Sequence, residues 1–156
     1  MPRKMTPLQW IDIPPVWLAG MIVLVWLTRR PGWILPEGME AAIDILGWVL
    51  ILAGLALLVL ALGTMMRRGT SPVPHQEAEE LVTSGVFRIS RNPIYLGDTL
   101  ILTGLIFLWL SPLALPLIPI FVWIVTRRFI EPEEEGLARS HPEAFEAYAA
   151  RTRRWL

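Results

Sequence analysis

Four apolar stretches divide the chain, and polar residues gather between them rather than among them. The first runs from Pro14 to Thr28 and reaches back through Trp10, Ile11 and Ile13. The second, Ile43 to Met66, is interrupted only by Asp44 and Thr64. The third and fourth, Ile94 to Leu110 and Leu113 to Val125, are separated by Ser111 and Pro112. A bilayer span takes about 20 apolar residues at roughly 1.5 Å of rise each. The second run meets that length outright, and the others meet it with their flanks. The pattern predicts transmembrane helices over roughly 10–28, 41–66, 92–110 and 112–130, the last two forming a hairpin. Pro116 and Pro119 are expected to bend the fourth helix near its start.

Beyond the fourth run the pattern changes again. Phe145, Tyr148 and Trp155 form a sparse apolar stripe between charged positions, which reads as an amphipathic helix over about 143–154 lying against the membrane. The expected fold class is all-α: a polytopic membrane protein of about four transmembrane helices plus a C-terminal amphipathic helix. One domain is expected over residues 1–156, with 10–66 anchoring and 67–156 forming the functional core. The first apolar run is taken as a retained helix. Asp12, Pro14 and Pro15 interrupt its approach, and "LTRRPG" at its far end is a poor cleavage site.

Composition agrees: 54% of residues are apolar, with eight Trp. There are no cysteines, so disulfides and thiolate chemistry are excluded. The formal charge is zero, and no global field argues for nucleic acid. The charges are distributed unevenly. With both termini cytoplasmic, twelve Lys and Arg fall on that side, and only Arg29 and Arg30 fall on the other. The bias favours an even number of spans and places the polar half, the 67–92 loop and the 131–156 tail, in the cytoplasm (at the inner membrane in a bacterium).

Small residues recur seven apart, at Gly47, Gly54 and Ala61 and again at Gly97 and Gly104, a pattern that lets membrane helices approach closely. In the loop, Gly85 suits a left-handed turn. Asn92 and Pro93 read as the cap and first residue of the third helix. Tyr95, Asp98 and Leu102 then share one helix face, with Arg91 and Asn92 just below. An acid one or two turns inside a membrane helix is expensive and faces a partner or a cavity. Glu131, Glu133, Glu134 and Glu135 come after the fourth helix, as either a solvated charge run opening another helix or a functional cluster. His75 and His141 lack metal-ligand spacing, and no metal site is expected.

The order "LVTSGVFRISRNPIYLGDTLILTG", a helical hairpin, "RRFIEPEEEGL" and "HPEAFEAYAARTRRWL" resembles the isoprenylcysteine carboxyl methyltransferase and phospholipid N-methyltransferase superfamily of integral membrane enzymes. The likeness covers about 69–155. It departs at His141-Pro142, where the family carries Phe-Gly, and across 151–154, where it often carries Val-Pro-Arg. The resemblance implies a methyltransferase that binds S-adenosylmethionine on the cytoplasmic side, under the C-terminal segment, with the acceptor arriving from the bilayer. The cofactor positions it implies are His75, Leu81, Gly85, Arg91, Asn92, Pro93, Tyr95, Gly97, Glu133 and Glu134.

Two acceptor chemistries separate at this point. A carboxylate, as on a prenylated cysteine, needs positive charge to steer it. An amine, as in the phosphatidylethanolamine headgroup, must first lose a proton to a base. Asp98, Glu131 and His75 are candidate bases, with Tyr95 beside Asp98, and an acid on that face favours the amine. An NADPH-dependent membrane reductase and a non-catalytic scaffold are the readings outside methyl transfer.

Overall fold

The computed structural model describes residues 12–29, 36–69 and 81–156. His75, most of the 67–80 segment and the 30–35 connection lie outside the described residues. All regular structure among the described residues is helical. In chain order it comprises α1 (Pro14–Leu27), α2 (Met39–Arg67), a 3-10 turn (Gly85–Arg88), α3 (Pro93–Leu108), a second 3-10 turn (Pro112–Ala114), α4 (Leu117–Val125), a π-helical turn (Thr126–Ile130), α5 (Glu131–Ser140) and α6 (Pro142–Ala149).

Two helical stretches are long and apolar enough to cross a membrane, Met39–Arg67 and Pro112–Ser140, each of 29 residues. Helices α1 and α3 are apolar but shorter, at 14 and 16 residues. Lipid is the fitting solvent for α2. Ile45, Trp48, Leu52, Leu55, Val59, Leu62 and Met66 succeed one another at helical spacing and are all exposed.

The opposite face of α2 carries the glycines, and it meets α3 backbone to backbone. A Cβ on Gly54 would lie 2.6 Å from the Gly97 carbonyl oxygen, and one on Gly104 would lie 2.6 Å from that of Gly47. The seven-residue spacings in the two helices are thus two contact points of one crossing. On its other side α3 joins the main core, where Tyr95, Leu102 and Ile106 pack with Met21 and Val25 of α1, Phe121 and Val125 of α4, and Phe129 and Ile130. Ser111, buried at the hairpin turn, donates to the Val25 carbonyl at 3.1 Å and ties that turn to α1.

The fourth helix differs from expectation. The opening prolines leave a 3-10 turn, and Pro116 becomes the residue preceding α4. The helix does not end near residue 130. It passes through one wide turn at Thr126–Ile130 and continues as α5. A π turn holds one residue more than a regular turn and often marks a functional site. Here it rotates everything beyond it by about 100° relative to an unbroken α-helix. Phe129 and Ile130 are consequently both buried beneath Val125. Arg128, in the same turn, pairs with Asp12 and lies 5.6 Å over the Trp17 ring. That pairing ties the start of α1 to the foot of α4.

Helix α6 is shorter than the sequence predicts, and its apolar face turns to the protein. Tyr148 is buried with Ala61, Val82 and Phe87. Its hydroxyl donates to the Phe87 carbonyl oxygen. Burial pushes the Tyr148 phenol up to about 12, so it remains protonated and able to donate at neutral pH.

Candidate functional site

The foot of α3 begins with Ser90, Arg91 and Asn92, and the C-terminal segment lies alongside them. The Arg91 N–H donates to the Arg153 carbonyl at 2.9 Å. The Ser90 hydroxyl and the Asn92 amide both donate to the Arg154 carbonyl, at 3.2 and 3.1 Å. Asn92 occupies the cap position of α3, but its side chain makes no cap hydrogen bond. Its amide is committed to the tail instead, which corrects the reading of Asn92 as a plain helix cap. Pro93 is buried as the first residue of α3.

Glu133 and Glu134 reach this foot from α5. The Tyr95 hydroxyl donates to Glu133 Oε1 at 2.9 Å. Glu134 receives two arginines, one on each oxygen. Arg91 contacts Oε1 through Nε at 3.1 Å and Nη2 at 3.0 Å. Arg154 contacts Oε2 through Nε at 3.0 Å and Nη2 at 2.6 Å. Each guanidinium thus directs two N–H groups at a single oxygen, and charge-assisted contacts are among the stronger polar interactions in proteins. Pairing with Glu134 holds the Arg154 guanidinium above its ordinary range.

The wide turn sets the rotation of α5 at which two adjacent glutamates meet Tyr95 on α3 and Arg91 just before it. Glu133 thereby meets α3, and Glu134 meets the residue preceding it and the C-terminal segment. Tyr95 is further held by a stacked contact with Phe129 of that turn, their ring centroids 6.3 Å apart. The two segments, 38 residues apart between Tyr95 and Glu133, thus converge at one level of the bundle.

Beside this cluster lies an open cleft of about 340 Å³ lined by Glu131, Glu134, Glu135, Ala138, Phe145 and Arg154. The volume falls within the roughly 300–1,000 Å³ of small-molecule sites. Its wall offers three carboxylates, one guanidinium and one aromatic face. Glu131 stands on the outer side, 3.0 Å from Arg127 and 3.8 Å from Arg154.

Asp98 lies one turn above Tyr95. It is only 6% exposed and makes no hydrogen bond to any described residue. A carboxyl group buried without a partner is costly, and a group of this kind calls for a function or a visiting ligand.

Not every residue named from the sequence converges here. Gly97 faces α2, where its Cβ would lie 2.8 Å from the Gly54 carbonyl oxygen. Gly85 adopts the expected left-handed conformation, φ +61°, and packs on Thr64 at the end of α2. Leu81 packs against the second cluster with Val82 and Tyr148. Arg154 and Phe145, by contrast, join the site without having been singled out by the sequence. No local signal marks Arg154, since its partner lies 20 residues away.

A family model described as phospholipid methyltransferase matches residues 42–143, more than half of the chain. No curated protein and no solved structure matches it.

Proposed function

We infer, because this chain belongs to the phospholipid methyltransferase family, that it transfers a methyl group from S-adenosylmethionine to the headgroup amine of a membrane phospholipid, phosphatidylethanolamine being the fitting acceptor. The observation that carries this reading is the convergence of Arg91, Glu134 and Arg154 beside an open cleft at the foot of α3.

The donor set fits the cofactor. Glutamates suit an α-ammonium and ribose hydroxyls, an arginine suits a carboxylate, and the Phe145 ring gives the purine an apolar wall. When bound, S-adenosylmethionine supplies a methyl group on a sulfonium that departs as a neutral thioether. The protein therefore has no leaving group to activate. Its part is to hold donor and acceptor in line and keep water out, an effect that reaches roughly 7–11 kcal/mol in well-oriented systems.

The amine is the harder partner. As an ammonium it has no lone pair, and one proton must leave before attack. Asp98 is placed to accept it: buried, without a described partner, and one turn deeper than the Tyr95–Glu133 pair. A buried carboxylate also attracts a cationic headgroup more strongly than it would in water. The Tyr95–Glu133 hydrogen bond ties α3, which carries Asp98, to α5, which carries the cleft glutamates. With the termini on the cytoplasmic side, as the arginine distribution favours, the cleft would open to the cytoplasm and the acceptor would approach Asp98 from the bilayer.

The test is to incubate purified protein with total lipid extract and methyl-labelled cofactor. Label in the phosphatidylethanolamine derivatives is the expected result. Label in a carboxyl ester would reassign the acceptor, and failure to bind the cofactor, with binding of NADPH, would overturn the methyltransferase reading. Asp98→Asn is expected to slow turnover at neutral pH by about 10²-fold or more, with cofactor affinity unchanged. Retained turnover across pH would remove Asp98 as the base.

A further inference from the structure

The two arginines on Glu134 are not equivalent. Arg91 is held from several directions. Its side chain is 14% exposed, its Nη1 donates to the Ala149 carbonyl at 3.4 Å, and its guanidinium lies 5.8 Å over the Phe145 ring. Arg154 is 36% exposed and lines the open cleft. Its Nη1 lies 3.8 Å from Glu131, too far for a direct hydrogen bond. One arm of the clamp is structural, and the other faces the solvent of the site.

Resting on the proposed cofactor, we propose that Arg154 is the residue that binds the α-carboxylate of the cofactor's amino-acid end, while the Glu134 oxygen it now covers accepts the adjacent α-ammonium. The cleft wall presents this anion and cation side by side, 2.6 Å apart. An amino-acid zwitterion presents the same two charges in the opposite order. Docking one pair on the other replaces a single ion pair with a closed set of four alternating charges. Glu134 keeps its orientation throughout, because Arg91 continues to hold Oε1. The other described cleft-lining charges are Glu131, Glu134 and Glu135, so Arg154 is the cation that the lining offers to a carboxylate. Arg91 is thereby a positioning residue for Glu134, and Arg154 the one that touches the ligand.

The experiment compares two ligands on the detergent-purified full chain by calorimetry. S-adenosylhomocysteine carries the amino-acid end, and 5′-methylthioadenosine lacks it. In Arg154→Gln, affinity for S-adenosylhomocysteine is expected to fall by roughly ten- to hundredfold, the range of a lost charge-assisted contact, while 5′-methylthioadenosine binds as in the wild type. Arg154→Lys, which keeps the charge but not the fork, is expected to recover part of the difference. It also supplies the comparison if the glutamine variant does not fold. Equal loss of both ligands, or loss of neither, overturns the assignment. Wild-type protein that binds neither ligand would instead overturn the cofactor reading on which it rests.

Discussion

Glu134→Ala is expected to abolish measurable S-adenosylhomocysteine binding and to lower the stability of the detergent-solubilised protein. Both effects have one origin. Glu134 is 12% exposed and neutralises two guanidinium groups that approach from different segments. Removing one partner of a largely buried pair costs about 3–5 kcal/mol, because the remaining charge is left without its counterpart. Here that charge is chiefly Arg91, which its hydrogen bond to Ala149 and its backbone contact to Arg153 hold in place. Arg154, more exposed, can turn to water. Arg154→Gln should therefore weaken ligand binding with little loss of stability, and Glu134→Ala should do both. Thermal unfolding followed by tryptophan fluorescence, beside a ligand titration, separates the two. An alanine variant with wild-type melting and wild-type affinity would show that the clamp neither braces the fold nor forms the site.

Substitution at the helix crossing should have the largest effect on folding. Gly54→Ala, Gly97→Ala and Gly104→Ala each set a Cβ at 2.6–2.8 Å from a backbone carbonyl oxygen of the facing helix. A backbone cannot step aside as a side chain does, so α2 and α3 must separate. Overpacking usually costs about 1–3 kcal/mol, and more where no rotamer relieves it. In lipid the loss is compounded, because close approach is what holds the helices together. Gly47→Ala should be milder, since the nearest atoms to its Cβ belong to the Leu108 side chain, at 2.8 Å, which can move, and the facing Gly104 carbonyl oxygen lies farther off, at 3.0 Å. Gly20→Ala and Gly63→Ala meet nothing within 4 Å and should be near neutral. The yield of monodisperse protein and its melting temperature check the series. A Gly54→Ala protein as stable as Gly20→Ala would contradict the crossing described.

Much of this arrangement is legible in the sequence because membrane insertion leaves few options. Apolar length announces the helices, and the seven-residue glycine spacing in two of them announces their contact. Arg91, Tyr95, Glu133 and Glu134 stand out as polar groups at interfaces where lipid offers them no partner. The hidden part depends on geometry that a residue pattern does not encode. Asn92 reads as a cap in any sequence, and only the course of the tail shows that its amide is committed to Arg154. Tyr148 and Trp155 look like a membrane-facing stripe, since amphipathicity says that a face is apolar but not what covers it. In the structure, Tyr148 covers the loop beside α2, and Trp155 packs against the main core. The wide turn after Val125 is equally silent. Thr126–Ile130 is compatible with a regular helix, and the extra residue shows only where both Phe129 and Ile130 are buried.

That wide turn has a consequence for how the chain tolerates change. Upstream of it, on the lipid-facing surface, one apolar residue can replace another. Downstream, each acid answers to a particular partner. The surplus residue is the gearing between the two, so a single deletion anywhere in 126–130 would swing Glu133 and Glu134 about a quarter-turn off their targets while leaving the hydrophobic segment intact. Length in this short window, more than the identity of its residues, is what the acidic pair depends on.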